Sequence, residues 1–232
     1  MDYIVLYNNT YGCSYIIKNY KTKYGIDSHT NDKPDSNTNQ NPVIPDIDTI
    51  NNKIKSYYQC NKLKGKYMTI ILGIDPGTNI TGYGLIDISS GSIKYVYHSI
   101  IKTGLKNKYT TKLALINEET NNIIDKYKPT HVAIESVFFS VNAGTAIKLG
   151  QARGAAISAC SRLGLEVFEY SPRRVKMVVT SSGAADKIEL QKKVKSILKI
   201  RRKLEIDASD ALGVAICHGI TFIDNPDNVK SI

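Results

Sequence analysis

Residues 70 to 84, IILGIDPGTNITGYG, restrict this chain more than any other stretch. Ile70, Ile71, Leu72 and Ile74 form a near-continuous apolar run, which suits a strand covered on both faces. The run stops at a single carboxylate, Asp75. Pro76 and Gly77 then supply a turn, and Thr81 to Asp87 returns as a second strand. A carboxylate at the end of a central strand is held rigidly beside a crevice, as a metal ligand or a general base requires. Taken alone, IDPG is more often a turn whose Asp bonds its own backbone. Further acids elsewhere in the chain change that balance.

From Met68 onward the pattern is regular. Strands are predicted at 70–75, 81–87 and 93–102, and their tight connections make an antiparallel meander. A helix is predicted over Tyr109 to Tyr127, with Leu113, Leu115, Ile116, Ile123 and Ile124 on its apolar positions and Pro129 beyond its end. HVAIES, from His131 to Ser136, is a second short buried strand that finishes at an acid, Glu135. A long helix follows at about 142–163, then a strand at 166–170 and a basic stretch from Ser171 to Lys187. A helix to about Ile200 and a last helix from about Ile206 to Ile220 complete the order. Hairpin-joined strands followed by helices alternating with parallel strands imply an α/β fold, a ribonuclease H-like mixed five-stranded sheet flanked by helices.

Glu135 decides how Asp75 is read. If their strands are parallel neighbours, both acids meet at the C-terminal edge of the sheet, and two buried carboxylates repel unless a cation lies between them. Asp207 and Asp210, in IDASDAL, are spaced i, i+3 and share one face of the final helix. Asp207 alone reads as a helix cap or a partner of the helix dipole. Four acids on three elements exceed what capping explains and form an oxygen-rich set for Mg²⁺ or Mn²⁺, with no His or Cys at zinc-like spacing.

Charge identifies the partner class. The 232 residues carry a formal net charge of +10 and a pI near 9.3, which favours an anionic partner, nucleic acid ahead of a membrane surface. Ser171 to Lys203 holds eleven Lys or Arg and two acids, a balance of +9 within the +7 of residues 68–232. Arg173 and Arg174 are expected to contact DNA, and Lys192, Lys195 and Lys199 are expected on one helical face as a phosphate-tracking stripe. The four cysteines lack metal or disulfide spacing, which fits a reducing cytoplasm. No apolar run is expected to reach membrane-span length, so no membrane association is expected.

Five blocks in order, GIDPGTNITGYG, AIESVFFSVNAGTAIKLGQARGAAI, VFEYSPRRVK, GAADK and DASDAL, make residues 68 to about 220 resemble the RuvC family of bacterial crossover junction endodeoxyribonucleases, which resolve Holliday junctions. The resemblance implies a homodimer that cuts four-way junction DNA symmetrically, in partnership with the RuvA and RuvB branch-migration complex. Asp75, Glu135, Asp207 and Asp210 match the family's catalytic, metal-binding acids, which implies Mg²⁺ (with Mn²⁺ able to substitute) and two ions per active site. Some members carry His where this chain has Asp207. Lys176 and Lys187 match lysines near the DNA backbone, and one of Phe138 and Phe139, Phe138 by the match, is implied to stack on an unpaired base, the other belonging to the core. Ala146, Gly150 and Gly154 recur every four residues, a stripe for close packing against either a second subunit or the chain's own sheet. An actin-like ATPase also opens with an acid-ended strand and a Gly-containing turn, but no second phosphate loop or adenosine motif is present.

Residues 1–67 differ in composition: they hold nine of the 15 tyrosines and no Arg, Glu or Phe. They are expected to be disordered or a mis-assigned extension, with the functional protein starting at Met68 or tolerating a start there. MDYIVLY is expected as one strand and IDTINNKIKSYY as a short helix, both without an obvious partner. The nuclease domain is expected at 68–222 and a flexible tail at 223–232.

Overall fold

The computed structural model describes residues 3–7, 14–18, 69–89, 92–136, 143–224 and 231–232. The chain divides into two compact units, Met1–Val43 and Ile44–Ile232. In the first, β1 (Tyr3–Tyr7) pairs antiparallel with β2 (Ser14–Lys18), Tyr3 opposite Lys18. The strand expected at the start therefore has a partner, contrary to the sequence reading, because SYIIK offers the same β-branched and aromatic composition. IDTINNKIKSYY lies outside the described residues.

The second unit runs β3 (Ile70–Asp75), β4 (Ile80–Asp87), β5 (Lys94–Lys102), α1 (Tyr109–Tyr127), β6 (His131–Glu135), α2 (Ala143–Arg162), β7 (Val167–Tyr170), α3 (Pro172–Thr180), α4 (Lys187–Ile197) and α5 (Ile206–Asp224). The strands form one mixed sheet in the order β5-β4-β3-β6-β7, antiparallel through the meander and parallel from β3 to β7. Alternation divides the side chains between two cores. Leu72, Ile74, Tyr83, Leu85, Val132 and Ile134 meet Ile116 and Ile123 of α1 and Ala152 and Ala156 of α2. Ile71, Ile86, Ala133 and Phe168 meet α3, α4 and the apolar side of α5, Ala208, Leu212 and Ala215.

How closely α5 can approach is set by small residues. A Cβ on Gly73 would stand 2.1 Å from the Ala211 carbonyl oxygen, one on Gly82 2.0 Å from that of Asp207, and one on Gly84 2.7 Å from the Leu212 nitrogen. Gly73 lies opposite Gly84, and Gly82 opposite Asp75, in the β3–β4 register. The glycines thus form a shallow floor beside the first acid, and the backbone of α5 rests directly on it.

The basic stretch after Ser171 contains a helix, α3, capped by the Ser171 hydroxyl accepting from the Arg174 N–H at 3.2 Å, with Pro172 in the first turn. α4 stops at Ile197: Lys199 is left-handed (φ 53), and the Ile200 N–H bonds back to the Lys195 carbonyl at 2.9 Å. Lys199 therefore leaves the helical face that carries Lys192 and Lys195. Within α5, Ile206–Ile223 is long and apolar enough to cross a membrane (mean hydropathy 1.3), yet 72% of it is buried inside the fold, as suits a core helix. The expected tail at 223–232 includes the end of α5 and Ser231, which bridges Phe168 of β7.

A polar chain crosses the α5-side core. His218 of α5, with no exposed surface, lies 2.9 Å from the Tyr170 hydroxyl through Nδ1 and 3.0 Å from His131 Nδ1 through Nε2. Burial, followed by the neighbouring His131, pushes its pKa down to about 3. The unfolded chain would take up this proton near pH ~6.5, so between those values the unfolded state binds more protons and stability falls as pH falls. Raised carboxylates have the opposite sign, so a variant isolates the histidine. Thermal melts between about pH 7.5 and 5 should show His218→Asn less stable at neutral pH but with a shallower acid loss than the wild type. Parallel pH profiles would remove His218 as the titrating group.

Candidate active site

Asp75 and Glu135 end β3 and β6. Ile74 lies opposite Ile134 in the parallel pair, so the two acids are neighbours at one edge of the sheet. Each follows by two residues a position, Gly73 or Ala133, that faces α5, so both point to the helix side. The two carboxyls lie near enough to act on each other's ionisation. Burial, then the charges of Glu135 and Asp210, hold Asp75 well above the usual carboxylate range. Glu135 is raised mainly by burial, with Asp210 adding to it, against opposing effects from Asp75, Lys187 and Lys176.

The third acid comes from α5. Asp210 is only 6% exposed; its Oδ2 accepts from Lys187 Nζ at 2.8 Å, while its Oδ1 is buried without a hydrogen-bond partner. Its pKa is raised by burial, with Lys187 opposing. Burial alone would lower Lys187, but bonding to Asp210 and the charges of Asp210, Asp75 and Asp207 outweigh it and the pKa rises. Lys187 opens α4 behind the Asp186 N-cap, which accepts the Glu189 N–H at 2.8 Å, and its side chain remains 61% exposed. Asp207 rests its carbonyl on Gly82 and is within electrostatic reach of Asp210 and Lys187.

The structure thus brings Asp75, Glu135, Asp210, Lys187 and Asp207 together. Lys176 of α3 joins them, its charge acting on both Glu135 and Asp210. The remaining expected DNA contacts stand apart. Arg173 is exposed, with its stem against Gly183, and the Arg174 guanidinium lies 5.6 Å from the centre of the Tyr170 ring. Lys192 and Lys199 are exposed and Lys195 half-buried. Phe138 lies outside the described residues. The sequence reading missed Lys112, 8% exposed, whose Nζ donates to Asn79 Oδ1 at 2.7 Å beside the turn after Asp75. Its signal was a lysine one helical turn before the core residue Ile116.

Among the described residues the acids are neighbours, but no three His, Cys, Asp or Glu side chains stand close enough as placed to hold a metal ion. The donor set nevertheless fits a hard cation. Every ligand candidate is a carboxylate, Asp210 Oδ1 is buried with no partner, and Asp75 is destabilised as an anion by two acids that a cation would offset. Asp75, Glu135, Asp207 and Asp210 are the residues that would hold it.

The fold has solved counterparts. Thermus thermophilus RuvC, in a structure in complex with Holliday junction substrate, superposes with a TM-score of 0.62 at 24% identity, over 71% of this chain and 99% of that one. The yeast mitochondrial Holliday junction resolvase Ydc2 gives 0.51 at 12% identity, over 78% of this chain and 88% of that one. The fold is ribonuclease H-like. Residues 71–218 match the family described as Crossover junction endodeoxyribonuclease RuvC. The curated RuvC of Serratia proteamaculans is 48% identical over 151 residues, 65% of this chain and 87% of that protein, and that of Colwellia psychrerythraea 48% identical over 153 residues, 66% and 87%. The chain belongs to the RuvC family of crossover junction endodeoxyribonucleases, divalent-metal-dependent hydrolases of phosphodiester bonds.

Repulsion among the acids predicts a metal-linked stability. Asp75→Asn should melt higher than the wild type near pH ~8 without divalent metal, by about 1–2 kcal/mol, since it removes a buried anion facing two others. Added Mg²⁺ should stabilise the wild type and leave the variant almost unmoved. Equal Mg²⁺ shifts in differential scanning fluorimetry would take Asp75 out of the metal site.

Proposed function

We propose that this chain resolves four-way DNA junctions by paired, symmetric cleavage with two Mg²⁺ ions per active site, Mn²⁺ being able to substitute. The observation that carries the reading is the convergence of acids from β3, β6 and α5 at one sheet edge, with a buried Asp210 oxygen left unbonded. Asp75, central in the set, would bridge both ions; Glu135 would hold one of them, and Asp207 and Asp210 the other. Such a pair supplies a water nucleophile and neutralises the departing oxygen. Lys187 and Lys176 place positive charge beside the acids, where charge develops on the phosphate. The helices from Ser171 to Lys203 bring the sheet edge its backbone-binding charge, Arg173, Arg174, Lys192, Lys195 and Lys199 included, and Phe138 would stack on a base unpaired at the junction centre.

A junction of near two-fold symmetry calls for two like sites, which a two-fold homodimer provides. The stripe on α2 supports this. Among the described residues, a Cβ on Gly150 or Gly154 would meet nothing within 4 Å, while Ala152, Ala156 and Cys160 supply the face that meets the core. The nuclease domain is taken as 68–222, the enzyme as cytoplasmic, and its further partner as the RuvA and RuvB branch-migration complex.

Incubation with a four-way junction, a matched duplex and ATP tests the activity. Paired nicks on the junction alone are expected, whereas ATP turnover without cleavage would replace this reading with the actin-like one. Glu135→Gln and Asp210→Asn should each lose cleavage while keeping junction affinity within about tenfold, because Lys and Arg supply most of the backbone affinity. Near-normal turnover in either variant would exclude that residue. Gly150→Leu should leave a folded monomer in sedimentation; an intact dimer would defeat the interface assignment.

A further inference from the structure

The stretch between Asp87 and Glu118 contains five lysines and no acidic residue. Three of them, Lys102, Lys106 and Lys108, flank the β5–α1 loop; all are exposed, and none is ion-paired among the described residues. No acid stands in the first turn of α1 to offset them. Leu105, at the tip of the loop, is 82% exposed.

Topology places this loop at the catalytic edge. β5 runs parallel to β3 with β4 between them, and Lys102 lies opposite Ile80, so the end of β5 and the end of β3 share one edge of the sheet. The basic helices follow β7 at the other flank, with the acids of β3 and β6 between the two basic regions. Two strand spacings of about 4.8 Å put the end of β5 roughly 10 Å from Asp75. That is about three base-pair steps of ~3.4 Å along a duplex.

The loop is also fixed to the turn that follows Asp75. Thr103, fully buried, donates its N–H to the Asn79 carbonyl at 3.0 Å and its hydroxyl to the Thr78 carbonyl at 2.7 Å. Asn107 Nδ2 donates to the Thr103 carbonyl at 2.5 Å, and buried Lys112 holds Asn79 Oδ1 from beneath. Thr81 closes the same turn, its hydroxyl donating to the Gly77 carbonyl at 2.8 Å. A phosphate held on this loop is therefore held at a set offset from the acids, with little ordering left to do on binding.

We infer that the 102–108 loop is a second DNA-backbone contact, gripping the duplex arm on the side of the acids opposite the basic helices. The inference rests on the junction-cleaving reading above. Its occupant is a phosphate backbone because the patch is cationic, free of ion pairs among the described residues and rigidly tied to a site for phosphodiester chemistry. Lys106 and Lys108 bind without choosing sequence.

The test compares the full chain with Lys106→Ala/Lys108→Ala and with a control, Lys94→Ala/Lys128→Ala, which sheds the same charge from exposed residues at the opposite edge of the sheet. Junction affinity is measured across a salt series, and cleavage at saturating DNA. Loss of the loop lysines should weaken binding roughly tenfold at ~100 mM salt and lower the salt slope by about two, with the cleavage rate at saturation unchanged. The control should change little. Equal effects in the two variants, or an unchanged affinity and slope for the loop variant beside a wild type that cuts junctions, overturn the inference alone. A wild type that neither binds nor cuts the junction overturns the functional reading and this one with it.

Discussion

The contact on which the site depends is the seat of α5 on β3 and β4. At Gly73, Gly82 and Gly84 the helix backbone lies where a β-carbon would otherwise stand, and protein interiors this closely packed cannot admit three methyl groups without moving the helix. α5 is the element that carries Asp207 and Asp210 to the acids of the sheet. A displacement of a few tenths of an ångström at the floor would be passed to Asp210, whose position decides both its bond to Lys187 and the field at Asp75.

That field is costly to maintain. Asp75, Glu135 and Asp210 are all raised first by burial, so the fold gives up stability to keep three acids near one another in a medium that penalises their charge. Lys187 offsets part of the cost from α4, and Lys176 from α3. The apolar layers on both faces of the sheet compensate: the strands β3, β4 and β6 bring Leu72, Ile74, Leu85 and Ile134 to full burial on one side, and Ile71 and Ile86 on the other. Strain concentrated at one edge of an otherwise well-packed sheet is the usual distribution in an enzyme.

The proposed function is organised around the same edge. β3, β6 and β7 all end there, and so does β5, so each connection leaving that edge can reach a substrate lying across it. The turn after Asp75 is braced by Thr81 of β4, by Thr103 of the loop after β5 and by Lys112 of α1. The first acid is thus held by a strand behind it and a hydrogen-bonded turn in front, the preorganisation that acid-based metal chemistry needs.

The sequence by itself determined the strands, the acids and most of the helices. The apolar run ending at Asp75, the matching run ending at Glu135 and the i, i+3 spacing of Asp207 and Asp210 are local patterns, and α1 is legible at its observed limits because its apolar period and Pro129 are local too. α3 escapes the sequence reading although Ser171 and Pro172 announce it, since a cluster of basic residues masks the cap. Lys199 is expected on a helical face because its charge spacing fits, whereas the buried Ile200 ends the helix a turn early. What only the tertiary structure decided was reach: that Gly73, Gly82 and Gly84 are a floor for a helix more than a hundred residues away, that Lys187 rather than Lys176 bonds Asp210, and that Thr103 and Lys112 brace the turn after Asp75. A sequence shows which residues can be buried or charged; distances between elements are set by how their surfaces pack, and that depends on all of them at once.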